Sequence, residues 1–466
     1  MKQKRLYFKL FIFLFFLCLI TIRYIQSPRY MIASSRNIIN IACAIAQNVH
    51  RQPGLIFSSS LYKFLEANAS NVKGYDVIDD RLIQKALTLK PDYREKNLGR
   101  LCGDDFGPPI YAGIAVKWFG LKIDSLIKLM ILILIILISA FLIRFRENPL
   151  SDLIILAYLV TLAFFTASGF TGQNSYDPHG IPFIALAAMF YWLYSIYHSL
   201  QYDRRWWDWL ADLAVGGILA FLLACRATVK IQIIGIGLLA LILAWIFRKK
   251  IFYSPRRIIN YFAPFVFIFL SVFIVRISLD KSLHPKYQGK PREHTFWHTV
   301  YVGLGVYPNK YGILYVDTCG YKHALISPYN KLGDKLNMYT FDYEEVLKKE
   351  TLNIAKHDPL FIAEVFLKKI YLMLYIFYER FSTPPDVVFF WSFILAAVGI
   401  YLMPPQETSA EVRIFNRTLL LCGLPFFLEP LLAHPIFNKE IIAYYLCTLL
   451  FLIFQVISYR LPRRSQ

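Results

Sequence analysis

Two pairs of adjacent carboxylates are the residues best suited to acid–base chemistry. Asp79-Asp80 precedes a short apolar stretch, and Asp104-Asp105 lies in the turn-forming sequence of residues 103–111. A carboxylate beside a hydroxyl group can act as a general base. Carboxylate oxygens can also bind a divalent cation, so a metal is possible although no nucleotide-binding motif accompanies it.

Both pairs also have a purely structural interpretation. Asp79 is a suitable N-cap for a helix over residues 80–87, whose apolar residues share one face. Asp104-Asp105 would then be solvated turn residues, because the two following prolines disfavour a helix. At a bilayer surface, however, partial desolvation would raise the pKa of a carboxylate and make it a better base. We therefore prefer Asp79-Asp80 as the catalytic pair.

Two cations four residues apart, Arg226 and Lys230, lie between apolar stretches at 209–225 and 231–247. No acid accompanies them. Together they could hold a phosphate at the level of lipid headgroups. The alternative is that both side chains simply extend from the apolar layer toward water.

The remaining polar candidates are histidines and their neighbours. Asp177 and His179 lie in the short connection 171–180, where they could bind a ligand or serve as turn residues. His294 and His298 are spaced i, i+4, which can serve a metal ion. Because no acid follows His294, a metalloprotease is excluded, and a hydrogen-bonded structural pair is the alternative.

The aromatic residues Trp297, Tyr301 and Tyr307 surround this histidine pair. Their faces suit a sugar ring, and equally they suit a membrane interface. Nearby, Cys319 could pair with Cys102, but the sequence does not decide this.

The composition indicates what must position these residues. The chain has 466 residues, 57% hydrophobic and only 18% charged, with a mean hydropathy of +0.45. An average soluble domain is about 25% charged. Its apolar residues form long runs, as a bilayer requires. This excludes a disordered chain and makes a soluble enzyme a poor description.

We predict an α-helical polytopic membrane protein with about ten transmembrane helices. A signal anchor occupies residues 1–25, since basic residues precede an apolar run and no cleavage site follows. The other predicted spans are 126–143, 153–170, 181–200, 209–225, 231–247, 258–275, 387–403, 414–432 and 441–458. Asp212 lies in one of them and is expected to face the protein interior.

Lys and Arg set the predicted orientation. The net charge is +20, and the basic residues fall at both termini and after even-numbered spans. Both termini are therefore expected in the cytoplasm. We interpret the basic residues as the topology signal of a plasma (inner) membrane protein and not as a nucleic-acid-binding surface. Residues 26–125 and 277–386 then form two long extracytoplasmic loops that build a small outer domain.

Residues 126–276 form a six-span core in this scheme, and residues 387–466 form three C-terminal spans with a basic tail. The apolar stretch 360–378 is interrupted by Glu364, Lys368 and Lys369. We expect an interfacial helix there, because a further span would place the C-terminal Arg residues outside.

The order of these elements resembles the GT-C glycosyltransferases, polytopic enzymes that use polyprenyl-phosphate sugars. In the branch that resembles oligosaccharide and mannosyl transferases, the anchor leads to an acidic pair, a short helix, a Pro-Pro turn and a helix ending in Phe-Gly. The matching elements here are Asp79-Asp80, Ala86, Pro108-Pro109-Ile110-Tyr111 and Phe119-Gly120. The Gly-rich stretch 216–230 resembles the family's helix that ends in a basic residue, matched by Arg226.

The resemblance implies transfer of a sugar from a lipid-linked donor to an acceptor on the extracytoplasmic face. Asp79 or Asp80 would be the base, and Arg226 and Lys230 would bind the donor phosphate. Asp104, Asp105, Asp177, His179, His294 and His298 are then candidates for acceptor or metal binding. Two alternatives stay open, a ligase-like or scaffold protein of polysaccharide assembly and a transporter or flippase. The partners are membrane lipids and the donor, with no nucleic acid, and the oligomeric state is undetermined.

Overall fold

The computed structural model describes residues 30–72, 74–93, 107–145, 148–167, 181–226, 229–285, 296–336, 340–379, 410–427, 431–432 and 439–460, together with residues 14 and 18. Within these ranges the chain is mostly helical. The predicted anchor over residues 1–25 and the predicted span 387–403 lie outside the described ranges, apart from residues 14 and 18.

The elements follow one another as three short strands and seventeen helices within the described ranges. In chain order they are β1 Tyr30–Ile32, α1 Ser35–Asn48, α2 Ser59–Ala67, β2 Ser70–Val72, β3 Tyr75–Asp79, α3 Asp80–Ala86, α4 Gly107–Phe119, α5 Asp124–Arg144, α6 Pro149–Ala167, α7 Ile181–Ser199, α8 Trp206–Cys225, α9 Val229–Ile246, α10 Arg248–Ile251, α11 Pro255–Ser282, α12 Phe296–Gly303, α13 Asp317–Ile326, α14 Phe341–His357, α15 Pro359–Glu379, α16 Ala410–Cys422 and α17 Lys439–Arg460.

Four of these helices, α5, α8, α9 and α11, are long and apolar enough to cross a membrane. They contain 18 to 28 residues, which at 1.5 Å per residue covers about 27–42 Å, against a hydrocarbon core about 30 Å thick. Shorter apolar helical segments occur at Leu150–Ala163 and Ala443–Gln455. The protein is therefore a helical membrane-protein candidate, while the full count of ten spans stays a prediction.

The ends of the four long helices fall into two groups. Tyr111 of α4 donates a hydrogen bond to the Leu126 carbonyl (2.6 Å) at the start of α5 and stacks on Phe221 near the end of α8. Leu55 pairs with Leu283 just beyond α11. The end of the bundle that holds the start of α5 and the ends of α8 and α11 is called the loop end. The opposite end, which holds the end of α5 and the starts of α8 and α11, is called the charged end.

The first loop segment, residues 30–93 and 107–119, is folded rather than extended. Strands β1 and β2 pair antiparallel with the central strand β3, and the register places Tyr30 opposite Asp79. Helix α1 packs along α4, and its buried residues share one apolar core with the long helices. Residues of the second loop segment, 296–379, form a separate core.

Helix α4 corrects one expectation from the sequence. Pro108 and Pro109 do not exclude a helix; they occupy its first turn, where a missing N–H costs no internal hydrogen bond. Gly107 lies against the backbone of Ala224 and Cys225, and a Cβ there would come within 2.5 Å of them. The absence of a side chain at residue 107 therefore lets α4 begin against the end of α8.

The charged end contains two buried ion pairs. Arg144 contacts Asp208 at 2.7 Å, with both side chains 3% exposed. Arg204 pairs with Asp212, and both side chains are fully buried. The expectation that Asp212 faces the interior is confirmed. Arg144 and Arg204 are among the basic residues that follow even-numbered predicted spans, and in the structure both are enclosed by packed helices.

Further hydrogen bonds connect these pairs to neighbouring helices. Tyr191 of α7 donates to Asp212 (2.7 Å). Arg204 donates through Nε to the Asn260 carbonyl of α11 (2.8 Å) and through Nη2 to Ser195 of α7 (3.1 Å). The network therefore joins α5, α7, α8 and α11 at one level of the bundle.

Replacing Arg204 by Gln should strongly destabilise the bundle, because Asp212 would become an unpaired buried carboxylate. We expect the free energy of unfolding to fall by about 3–5 kcal/mol. The double change Arg204→Met with Asp212→Leu should recover much of this loss, since no buried charge is then left alone. Unfolding of the purified protein in mixed micelles with increasing denaturing detergent measures both.

The control is Arg256→Gln, which breaks an ion pair with Asp203 at 3.4 Å whose Arg is 73% exposed. Exposed pairs contribute about 0–1 kcal/mol. An Arg204→Gln variant as stable as this control would contradict a stabilising role for the buried pair.

Candidate functional site

The carboxylate of Asp79 caps helix α3. Asp79 ends the central strand β3, and its Oδ1 accepts a hydrogen bond from the Leu82 backbone N–H at 2.8 Å. Leu82, Ile83 and Ala86 are buried on the expected face. The helix-capping interpretation is confirmed, and capping uses only one of the two carboxylate oxygens.

The carboxylate of Asp80 joins the first loop segment to the membrane helices. Its Oδ1 accepts from the backbone N–H of Ile123 at 2.9 Å, in the turn that leads from α4 into α5. Among the described residues, no hydrogen bond is recorded to the second oxygen of Asp79 or Asp80. Each carboxylate is thus oriented by a backbone N–H group through one of its oxygens.

Arg226 lies at the same end of the bundle, beside the first turn of α4. It follows Cys225, and its N–H donates to the Leu222 carbonyl at 2.9 Å, closing α8. Because Gly107 packs against Ala224 and Cys225, the start of α4 and Arg226 are neighbours. Lys230 is exposed in the first turn of α9.

The acidic pair and the cations attach to different ends of α4. Arg226 is beside Gly107, at the start of this helix, whereas Asp80 binds Ile123, which follows the end of it. Helix α4 is therefore the element that relates the two predicted halves of the site. It contains 13 residues, about 20 Å of helix.

Five of the predicted residues lie outside the described ranges. These are Asp104, Asp105, Asp177, His179 and His294, and the predicted partner of Cys319, Cys102, is a sixth. In the part of the chain that is described, no group of three or more His, Cys, Asp or Glu side chains could hold a metal ion. Cys319 is buried with a free thiol, which accepts from the Leu314 N–H at 3.3 Å.

His298 is a buried, fully engaged histidine. Its Nδ1 lies 2.6 Å from the Tyr343 hydroxyl, and its Nε2 lies 3.2 Å from Asp317 Oδ1. The hydrogen bond from His298 lowers the pKa of Asp317, and the charge of Arg36 in α1 acts in the same direction. The hydrogen-bonded alternative for His298 is therefore the one observed within the described residues.

None of the three aromatic residues whose faces could suit a sugar ring, Trp297, Tyr301 and Tyr307, is fully exposed. Tyr301 is buried, with its hydroxyl 2.7 Å from His323 Nδ1. Trp297 is partly buried, and Tyr307 is partly covered by the Lys368 ammonium, 5.5 Å from its ring centre. Tyr315, two residues before Asp317, has an exposed ring. The sequence pattern did not identify it.

Helix α15 covers the stretch predicted to be interfacial. Phe361 and Val365 pack into the core of the second loop segment, while Leu360, Leu367 and Tyr371 are exposed. Glu364 and Lys368 form the expected i, i+4 pair at 2.5 Å. Lys369 is buried and donates to the carbonyls of Leu431 and Leu432, and burial lowers its pKa to about 8. An exposed apolar stripe beside charged residues suits a helix at a membrane surface.

Comparisons with known proteins give no match: no family model, no curated protein and no solved structure matches the chain.

The second loop segment should lose stability in acid. Asp358 accepts hydrogen bonds from Lys310 (2.7 Å), Tyr311 (2.9 Å) and the Phe361 N–H (3.2 Å), and the Lys310 bond is the main cause of its lowered pKa. The same direction holds for Asp317. A lowered pKa in the folded state adds stability above the ordinary value of about 3.9, and that stability is lost as pH falls through the folded value.

Hydrogen exchange followed by mass spectrometry measures this effect. Between pH 5 and pH 3 the first turn of α15 should lose protection, and Asp358→Asn should remove most of the pH dependence there. Asp334→Asn, at an exposed carboxylate of the same segment, should leave the dependence unchanged. Equal acid sensitivity in both variants would contradict the assignment to Asp358.

Proposed function

We propose that the protein is an integral-membrane glycosyltransferase that transfers a sugar from a polyprenyl-phosphate donor to an acceptor on the extracytoplasmic face. One observation carries the proposal. Arg226 adjoins the first turn of α4, and Asp80 is held at the turn that follows the last residue of the same helix, so the cations and the carboxylates lie along one 13-residue helix at the loop end of the bundle. Cations for a phosphate and a base for a hydroxyl are the two parts that such a transfer needs.

The phosphate would bind between Arg226, Lys230 and the start of α4. A guanidinium forms charge-assisted hydrogen bonds to phosphate oxygens, and the positive end of a helix dipole adds to the attraction. When the sugar departs, negative charge develops on the phosphate. Fixed cations at headgroup depth would stabilise that charge more than water does.

The base would be Asp79 or Asp80, each of which has one carboxylate oxygen held by a backbone N–H. Asp104-Asp105 is the second candidate pair, since Asp105 precedes Gly107 by only two residues. Two residues of chain span at most about 7 Å. The oxygens of these carboxylates could also bind a divalent cation.

The proposed topology has ten spans, with the loop end outside and both termini in the cytoplasm. The surface of the charged end supports this orientation. Trp245 and Tyr253 are 72% and 86% exposed there, and Arg248 and Lys249 are exposed beside them. Exposed aromatic and basic residues together are typical of a cytoplasmic membrane interface.

The transporter alternative has less support. A transporter needs polar groups near the middle of the bilayer. Four buried charges of the described bundle, Arg144, Arg204, Asp208 and Asp212, are instead paired with one another and lie at the last residue of α5, just before α8 and in the first two turns of α8. The ligase-like alternative was based on His and Arg residues in the second outer loop; of these, His298 has both ring nitrogens engaged by Tyr343 and Asp317, and His294 lies outside the described ranges.

Donor binding provides the direct test of the phosphate site. Replacing Arg226 and Lys230 together by Gln should weaken binding of a polyprenyl phosphate by roughly a hundredfold, since each charge-assisted hydrogen bond contributes about 1.5–3 kcal/mol. Microscale thermophoresis with a fluorescent short-chain polyprenyl phosphate measures the change.

The matched control is Arg248→Gln with Lys249→Gln, at the charged end. This control should bind the donor as the unaltered protein does. Equal binding by both double variants would mean that Arg226 and Lys230 only extend toward water.

Amide and alanine changes at the acidic pair separate capping from catalysis. Asp79→Ala should lower the free energy of unfolding by about 1 kcal/mol, whereas Asp79→Asn should not, because Asn caps as well as Asp. If Asp79 or Asp80 is the base, one of the two Asn variants should lose nearly all transfer of a radiolabelled sugar while still binding donor. Near-normal transfer by both single variants and by the double variant would rule out this pair.

A further inference from the structure

A chain of hydrogen bonds leads from the interior of the second loop segment to its surface. It begins at the Tyr343 hydroxyl, which is fully buried, and passes through both ring nitrogens of His298 to Asp317 Oδ1. Asp317 itself is 75% exposed. The three residues belong to three different helices, α14, α12 and α13.

The inner part of this chain is rigidly held. The backbone N–H groups of Trp297 and His298 donate to the buried carboxylate of Glu344, at 2.6 and 3.2 Å. Gly320 faces the imidazole so closely that a Cβ there would lie 3.1 Å from His298 Nδ1. The imidazole therefore has one position, and it presents its Nε2 to Asp317.

An exposed carboxylate that is fixed in this way is unusual. A surface Asp ordinarily samples several rotamers, and fixing it costs conformational entropy. Here a buried Tyr and a buried His hold one oxygen of Asp317. No hydrogen bond to its second oxygen is recorded among the described residues. The arrangement prepares that oxygen to accept hydrogen bonds from a ligand.

Two further groups border Asp317. Tyr315 precedes Asp317 by two residues, and Val316 between them has an extended backbone (φ −144°, ψ 132°). The ring of Tyr315 is 41% exposed. From the first loop segment, Arg36 in the first turn of α1 lies close enough for its charge to act on Asp317.

We propose that Asp317, Tyr315 and Arg36 form a saccharide-binding site. A carboxylate accepts hydrogen bonds and a guanidinium donates them, which together suit a ligand rich in hydroxyl groups. The carboxylate accepts hydrogen bonds from hydroxyls, the guanidinium donates to them, and an aromatic face covers the apolar C–H side of a sugar ring. A few fixed polar groups beside an aromatic surface are typical of small-molecule sites.

The site lies where the two loop segments approach each other, since Arg36 belongs to one and Asp317 to the other. The identification of its ligand as the acceptor saccharide rests on the proposed transfer reaction. The binding itself does not, because it needs neither the lipid donor nor turnover.

Saturation-transfer NMR on the full-length protein tests the proposal. The protein is purified in a detergent without a sugar headgroup, and the probe is a mixture of maltotetraose, cellotetraose and tetra-N-acetylchitotetraose. At least one should receive saturation on its ring C–H protons. Asp317→Asn and Tyr315→Ala should each weaken its binding about tenfold, as expected for losing a hydrogen bond to a charged group or a stacking face.

Two matched variants control for composition and folding. Asp334→Asn changes an exposed carboxylate elsewhere in the same segment, and Tyr253→Ala removes an exposed tyrosine at the charged end; both should bind as the unaltered protein does. Asn at 317 keeps an oxygen for His298, so the melting temperature should stay within about 2 °C of the unaltered protein if only a surface charge is lost.

The outcomes separate this proposal from the transferase proposal. No saturation of any oligosaccharide, or equal binding by Asp317→Asn and Asp334→Asn, overturns the saccharide site. Neither result bears on donor binding by Arg226 and Lys230, which has its own test. Loss of saccharide binding in Asp317→Asn with unchanged polyprenyl-phosphate binding supports it. Saccharide binding without any donor binding would support the site and reject the transferase.

Discussion

Buried charge in an apolar helix bundle is the constraint on which the membrane part of this protein depends. Removing an ionised carboxylate or guanidinium from water costs several kcal/mol even after relaxation. Arg144 with Asp208 and Arg204 with Asp212 offset that cost only in one arrangement of α5, α7, α8 and α11. Any sliding of one helix past another would leave a charge unpaired. The network therefore sets the relative heights of these helices.

Because the ion pairs at the charged end fix the positions of these helices along the bundle, they also position residues at the loop end. Because α8 is held at its start by Asp208 and Asp212, its last turn is held against Gly107, and Arg226 follows directly. Because α5 is held at Arg144, its start is held beside Asp80 through Ile123. The position of each half of the proposed donor site thus depends on ion pairs at the other end of the same helix.

The two loop segments are organised on different principles. The first shares its apolar core with the membrane helices, so its carboxylates are positioned by the bundle. The second has its own core, around Tyr301, Tyr343 and Leu347, and positions Asp317 by hydrogen bonds from buried residues. In the proposed transfer, the first segment would hold the lipid-linked donor and the second would hold the acceptor.

The sequence alone was sufficient for those features that depend on local periodicity and on chemical type. Long apolar runs predicted the helices that can cross a membrane, Asp79 was identified as an N-cap, and the spacing of Glu364 and Lys368 predicted their ion pair. Asp212 was expected to face inward, because an isolated charge in lipid is costly. Such features need only a few neighbouring residues, or one strong solvation penalty, to be decided.

Tertiary structure decided what depends on residues distant in the chain. Arg144 and Arg204 resembled ordinary flanking charges until their partners were known, and the prolines of α4 resembled helix breakers until they were found in its first turn. The aromatics beside His298 were predicted to suit either a sugar ring or a membrane interface, yet Tyr301 is buried, and the exposed ring of Tyr315 was not among them. Periodicity does not reveal which of several similar side chains is covered, because burial is set by contacts between segments that no local pattern records.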